Sequence, residues 1–511
     1  MLLSLATTKP KSKNHKMKNR SYYFFYVILL IITTYKPAVA QRLTRVGPAP
    51  AKEIAQALDV VTHYMDSARA HRNYIYALNL DNPKLVPQYR AWMKKYPKNI
   101  TIPLTIGTIF NHAEMAEGRE FLLRATELDP KNAEVWAMLA DDAFTRGEIN
   151  SSTEYMKKAT LADPSNPGYA ALYLFTFRVS NPDEYRRQAL EFVKRFPTDE
   201  RGAQVLYWVG ADATDINDKI TYLEKLRALY PPKKFPWSMS GMGELTDAYI
   251  KTDPEKAVRL TDSIGGQQRR QAALALIQVG KLEETKNYKE AFTTLDTLKL
   301  PRFNDIEDFI ALKKASLLAK SGDVKSAYNS VTENFAKLPT DEFYTAIEQY
   351  GKELGKDKEQ IAADIKLLRY AKAEAAYPFN LGLYTSKDSL SLKKLKGKVV
   401  LLTFWFPGCG PCRAEFPHFQ AVINKFKPDE VAYVGINVYP EQEPYVLPLM
   451  KKAGYTFIPL RGNGEFAKKA YGVQGEPENF LIDKDGKIVY KKFRIDQKNH
   501  RTLELMIASL Q

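Results

Sequence analysis

From residue 41 to about residue 376, apolar positions recur every three to four residues in one stretch after another, with few alternating runs. That spacing gathers apolar side chains on one face of a helix, so it predicts helix after helix. Prolines punctuate the pattern: Pro97, Pro130, Pro164, Pro197 and Pro231 lie 33, 34, 33 and 34 residues apart and close the phrases "KKYP", "ELDP", "LADP", "KRFP" and "ALYP". Proline there stops a helix, because one more turn would lose a hydrogen bond and clash. A unit of this length holds two amphipathic helices that cannot cover their apolar faces alone, so the units are expected to stack as an α-solenoid. Beyond Pro231 the period blurs, although "AKSGDVKSAYNSVTENFAKLP" at 319–339 reads as one more helix–turn–helix end.

The pattern changes near "AEAAYPFNLG". A long helical stretch ends at Ala376, and Pro378 blocks its continuation. "KVVLLTFWF" and "VAYVGINVY" then read as buried strands, with a helix from about Cys409 between them. "EPYVLPLMKKAG" reads as another helix, and "NFLIDKDGKIVYKKF" as a hairpin turning at Asp485–Gly486. Strands alternating with helices and closing in an antiparallel hairpin indicate an α/β sandwich over 377–511. A chain of 511 residues is too long for a single core, and the division into a helical region at 41–376 and an α/β domain satisfies that constraint.

Charge alters this picture little. The formal net charge of +16 includes seven cations and no acid within the first 40 residues, which leaves +9 for the rest. Residues 381–511 carry 20 Lys and Arg against 13 Asp and Glu, but singly, without a dense basic run or an RNA-binding motif. No nucleic-acid partner is expected. The amino terminus says more. A basic stretch, the apolar "SYYFFYVILLIITTY" and the small-x-small "AVA" at 38–40 are the three parts of a secretory signal peptide over residues 1–40. Its apolar core of about 15 residues falls short of a membrane span, which needs roughly 20. The mature chain is expected to start at Gln41 and to be exported to the periplasm or cell envelope; an uncleaved signal would instead anchor it. Met17 begins a more compact signal of the same design and is an alternative start to Met1.

Within the helical region, the unit at 133–166 places Trp136, Leu139, Gly147, Ala159 and Pro164 as the tetratricopeptide repeat places its aromatic, leucine, turn glycine, small residue and closing proline. It resembles that family, departing at Ser152 and Met156, where a small alanine and an aromatic are usual. Arrays of this kind often bind peptides, but a repeat fold alone does not establish that. A spacer or self-association platform stands beside the peptide- or protein-binding reading.

The two cysteines of the chain, Cys409 and Cys412, sit together in "FWFPGCGPCRAEFP". They lie too close to staple a long loop. A zinc site needs about four ligands, and the scattered histidines do not supply them; His418 could add one at most, so no metal is expected. Two inert thiols are the remaining alternative to a working dithiol. Against inertness, Cys409 follows a strand at a helix start, where unpaired N–H groups and the helix dipole stabilise a thiolate. The spacing lets Cys412 reach back across one turn.

The order of "LKKLKGKVVLLTFWFPGCGPCRAEFP", "AYVGINV" and "YGVQGEPENFLIDKDGKIV" resembles thioredoxin-fold domains of the exported TlpA/ResA type, over about a quarter of the chain. The resemblance implies a redox-active Cys409–Cys412 disulfide, with Cys409 attacking and Cys412 resolving, and no added cofactor. It implies a cis-proline at Pro477, with Glu476 before it offering backbone hydrogen bonds to a substrate strand. Trp405 is counted with these two as a substrate-contacting residue. Glu415 matches the buried acid of these reductases and implies a proton shuttle; ordinary thioredoxins carry an acid six residues before the first cysteine, here Thr403. Gly408 replaces the tryptophan that usually precedes the first cysteine, so the nucleophile is expected to be less covered. Glu476 and Glu478 place two acids beside the site, where thioredoxins seldom have them. The Gly-Pro pair between the cysteines matches reducing members. The expectation is an exported thiol–disulfide reductase acting on client proteins with disulfides and recharged by a membrane thiol donor. The rival reading is a repeat-based binding or assembly protein whose thioredoxin fold turns over little.

Overall fold

The computed structural model describes residues 47–511 apart from 179 and 303, so the expected signal peptide lies outside the described residues. From Ala51–His63 to Lys358–Tyr370 the chain is a succession of helices joined by short turns. Local chemistry explains their ends. Asn132, Asn166, Asp199, Asp215 and Asp323 each accept a hydrogen bond from a backbone N–H in the first turn that follows, satisfying a donor the helix leaves unpaired. Pro164 follows the helix Ile149–Ala162, as the punctuation predicts.

That helix pairs with Ala133–Thr145, and Leu139 and Ala159 are buried between them. Trp136 stacks on Tyr155, with Lys158 Nζ 4.5 Å from its ring centroid. Ser152 and Met156 are both buried, and Ser152 Oγ donates to the Ala140 carbonyl at 2.8 Å, so the hydroxyl is satisfied within the pair. The later helix–turn–helix end is present as a turn at Gly322 followed by Val324–Lys337.

The helical stretch stops at Tyr370, earlier than the pattern suggests, because the chain already joins the sheet at β1, Glu374–Ala375. The other strands are β2 (Asn380–Gly382), β3 (Ser389–Ser391), β4 (Val399–Trp405), β5 (Val431–Asn437), β6 (Ile458–Arg461), β7 (Glu478–Ile482) and β8 (Lys487–Lys491). The main sheet has the order β1-β8-β7-β4-β5-β6, with β4, β5 and β6 parallel and β7 and β8 returning antiparallel; β2 and β3 form a separate ribbon. The hairpin turns at Gly486, which has φ 89°. β4 is buried on both faces. Val399, Leu401 and Trp405 face a core shared with Phe416, Phe419 and the C-terminal helix His500–Ala508, while Val400, Leu402 and Phe404 face a second core with Ala467, Tyr471 and Phe480. Such alternation follows from the two-residue strand period.

The α/β domain rests on the helical region at several points. Tyr445 donates to Asp142 at 3.0 Å, and Asp142 also accepts from Arg146 at 2.9 Å and Arg119 at 3.3 Å. Arg413 lies over the Phe144 ring at 3.7 Å and donates to the Phe144 carbonyl. Farther along the array, Lys498 donates to the Ala211 carbonyl, Arg501 pairs with Asp341, and Arg369 donates to the Ser509 carbonyl. Gly147 has two duties: its φ is +78°, and a Cβ there would lie 2.9 Å from Leu449 of the α/β domain. Gly322, in a comparable turn with φ +90°, has nothing within 4 Å of that position.

These two glycines separate backbone strain from docking. Gly322→Ala should destabilise by about 1 kcal/mol, the cost of the left-handed conformation alone. Gly147→Ala should lower the unfolding midpoint further, because Leu449 must also move. Equal midpoints for the two variants in denaturant melts would mean that the turn does not press on the α/β domain.

Candidate redox site

β4 ends at Trp405, and a turn at Phe406–Gly408 brings the chain to Cys409, whose N–H donates to the Phe406 carbonyl at 3.0 Å. Cys409 is the N-cap of the helix Gly410–Ile423, and its sulfur accepts a hydrogen bond from the Cys412 N–H at 3.2 Å. The sulfur thus takes the place an Asn or Ser oxygen takes at other helix starts, where free donors favour negative charge. Cys409 and Cys412 are joined as a disulfide, with their Cα atoms 5.3 Å apart. Cys412 is fully buried and Cys409 is 4% exposed.

That coverage overturns one expectation. Gly408 does not open the site, because the Gln442 side chain fills the space: its Oε1 accepts from the Gly408 N–H at 2.6 Å. A Cβ on residue 408 would lie 2.8 Å from the Gln442 amide nitrogen. Trp405 needs correction as well. It is fully buried, packing edge-on against Phe416 and Phe457, so it forms part of the floor beneath the dithiol and touches no substrate surface. Strand parity turns it toward the helix.

The peptide bond before Pro477 is cis. Pro477 directly precedes β7, in which Glu478 lies opposite Phe404, so it sits beside the strand end from which the cysteine loop departs. Glu476 is half-buried; burial pushes its carboxyl above the ordinary range, and Glu478 adds to the rise. Glu478 is buried with Lys492 Nζ at 3.5 Å.

Glu415, one turn after Cys412, is 6% exposed. Its oxygens accept from the Asn479 amide at 2.9 Å and the Ile495 N–H at 3.1 Å, and Arg494 approaches to 3.7 Å. Burial outweighs these partners and pushes the carboxyl up to about 7. Asn479 also donates to the Phe493 carbonyl at 3.0 Å and accepts from Thr403 Oγ1 at 2.7 Å. The position where thioredoxins usually carry their acid, Thr403, is therefore linked to Glu415 through one amide. The pairing of Asn479 with Thr403 across the β4–β7 ladder is what gives it a place, and no local pattern in the sequence marks it.

His418, weighed as a lone metal ligand, lies against His500, ring nitrogen to ring nitrogen at 2.5 Å. Burial and the neighbouring ring lower its pKa. No group of three or more His, Cys, Asp or Glu suited to a metal gathers among the described residues, and no helix among them is long and apolar enough to cross a membrane.

Residues 371–506 match the Redoxin family model. Thiol-disulfide oxidoreductase ResA of Bacillus thuringiensis (strain Al Hakam) is 36% identical over 100 residues, which are 20% of this chain and 57% of that protein. ResA of Bacillus subtilis (strain 168) is 36% identical over 105 residues, 20% of this chain and 58% of that protein. The chain thus spans a little over half the length of these curated relatives. The solved thioredoxin domain of a thiol-disulfide oxidoreductase from Bacteroides vulgatus is 27% identical, covering 26% of this chain and 96% of that one, with a TM-score of 0.24. The C-terminal domain has a thioredoxin-type fold.

The shifted proton on Glu415 ties stability to pH. The unfolded chain releases it near 4.5, whereas the folded protein holds it to about 7. Stability from this group is present below 4.5 and is lost as pH rises through 7, at about 1.4 kcal/mol per unit in between. Glu415→Gln is fixed neutral, so between pH 5 and 8 its unfolding free energy should fall by about 2 kcal/mol less than that of the parent. Parallel pH profiles in denaturant titrations would show that Glu415 carries no such proton.

Proposed function

We propose that this protein is a thiol–disulfide oxidoreductase working as a reductase of client protein disulfides. One observation carries the reading: a cysteine pair at a helix start lies above a buried carboxyl held neutral to about pH 7. In the reduced protein, the Cys409 thiolate attacks one sulfur of a client disulfide. A Cys409–client bond forms, the client bond breaks, and one client thiolate leaves. Cys412, sealed from water, gives its proton to Glu415. Its thiolate attacks Cys409 Sγ, forming the Cys409–Cys412 disulfide and releasing the second client thiolate. Two electrons have then passed from the dithiol to the client, and a membrane thiol donor returns the protein to its reduced form. Glu476 and Pro477 offer the edge on which an extended client segment lies. We read the helices as tetratricopeptide-like repeats that bind a protein partner, and the chain as exported to the cell envelope, in keeping with its amino-terminal sequence.

A second reading draws on the 4% exposure of Cys409 and the docking of its domain on the helical array. In it the array assembles partners and the thioredoxin fold turns over little. Thiol titration of the whole protein separates the two. The reductase has a couple between roughly −300 and −100 mV, and the assembly protein has none.

Two outcomes test the roles. Cys409→Ser should abolish reaction with disulfide substrates, whereas Cys412→Ser should accumulate mixed disulfides through Cys409. Faster alkylation of Cys412 than of Cys409 in the reduced parent would reverse the assignment. Glu415→Gln should leave the attack by Cys409 nearly intact while slowing release of the mixed disulfide, by about 10²-fold if it is the general base. In the parent, that release should accelerate as pH rises through about 7, since only the ionised carboxyl accepts a proton. Stopped-flow traces with both phases unchanged would leave Glu415 no part in proton transfer.

A further inference from the structure

Gln442 stands between the nucleophile's turn and the helical array. It is 1% exposed, on the segment just before the helix Glu443–Ala453. On one side its Oε1 accepts from the Gly408 N–H, one residue before Cys409. On the other its Nε2 donates to Glu114 Oε2 at 2.5 Å. Glu114 lies on an exposed turn between the helices Thr101–His112 and Gly118–Leu128, in the left-handed region at φ 56°. An ionised carboxylate can only accept hydrogen bonds. Glu114 therefore requires the NH2 of Gln442 to face it, and the amide oxygen is left pointing at Gly408. The absence of a side chain at residue 408 lets the amide lie against the backbone.

We propose that Gln442 is a positioning residue for Cys409, with its orientation set by Glu114, so that the helical array completes the redox site. The Phe406–Cys409 turn is pinned at two consecutive N–H groups, Cys409 to the Phe406 carbonyl and Gly408 to Gln442. The acid of the array strengthens the second pin by holding the NH2 of Gln442 away from Gly408. Without it the NH2 has no acceptor there, and the Gly408 N–H alone selects which end of the amide faces the turn. The inference rests on the dithiol being reactive, as proposed above.

The test uses the whole reduced protein, with rates of Cys409 alkylation by iodoacetamide against pH and of attack on oxidised glutathione. Gln442→Met should slow attack about tenfold, the worth of one buried hydrogen bond, and shift the alkylation profile. Glu114→Gln, on an exposed turn and so not at risk of misfolding, should slow attack about threefold, because an amide there can face Gln442 with acceptor or donor and no longer dictates its orientation, a fraction of the same bond. Gln442→Glu sets two carboxylates together and should be slow as well. Combining it with Glu114→Gln rebuilds the bridge, since the introduced carboxylate accepts from both Gly408 and the new amide, and attack should return to within about twofold of the parent. A merely structural role predicts no such rescue. Folded variants with parental rates and profiles, or a folded double variant without rescue, overturn the proposal while leaving the redox reading intact. A parent dithiol that reacts with neither reagent overturns both.

Discussion

The desolvation of the Glu415 carboxyl governs the site around it. Removing a carboxylate from water costs several kcal/mol, whereas a half-exposed cation 3.7 Å away returns roughly 1 kcal/mol or less. Arg494 therefore cannot hold Glu415 ionised, and two hydrogen-bond donors reduce the shift without cancelling it. To supply one of them, Asn479 must lie in the core with its own groups satisfied. That requirement brings Thr403 from β4 and the Phe493 carbonyl into the network. The segment 493–495 is thereby held against the helix that carries the cysteines.

That helix meets three environments within two turns. Residues 409 and 412 meet at the sulfur pair, 415 continues the same side downward into the core, and 413 leaves on another side toward the array. Burial pushes the Arg413 guanidinium down to about 10, which still leaves it charged at neutral pH. The Phe144 ring and carbonyl take the place of its lost water. Opposite it, Asp141 is pushed up to about 6 by burial and by Glu114 and Asp142. Docking of the two regions and chemistry at the sulfurs thus share one stretch of backbone.

What was legible in the sequence follows from how local each cause is. β4, β5 and the Gly486 hairpin are apolar runs with a turn signal, and the helices of the array carry their own caps and prolines; both could be read directly. β1 could not, since two residues pair with a strand more than a hundred positions away. Trp405 was misplaced because resemblance locates a residue along a strand, whereas parity decides which face it occupies. Gly408 was misread for a related reason. The missing tryptophan was visible, but Gln442, 34 residues on, fills the space and looks like any glutamine in a polar turn. Asp142, Arg413 and Tyr445 likewise read as ordinary surface residues until a partner about 300 positions away buries them.

Because the chain's two cysteines are joined to each other, no disulfide ties the α/β domain to the helices, and beyond the backbone at 371–373 the contact is non-covalent. The contact must be held by packing and polar pairing. Its polar centre is Asp142 with two arginines and Tyr445, and a buried network of this kind gains little net free energy, because the desolvation of its charges offsets their attraction. Its effect is on geometry: any other registry would strand the buried Arg413 guanidinium without the Phe144 carbonyl and the Tyr445 hydroxyl without Asp142, at a cost of several kcal/mol. Attraction without direction comes instead from apolar contact, Leu449 on Gly147 and Leu505 against the cluster of Phe335, Ile347 and Ile365. Apolar surface could slide, and the polar contacts of Tyr445 and Arg413 forbid it. The orientation of the dithiol against the array is therefore set by the polar contacts, and its persistence by the apolar ones.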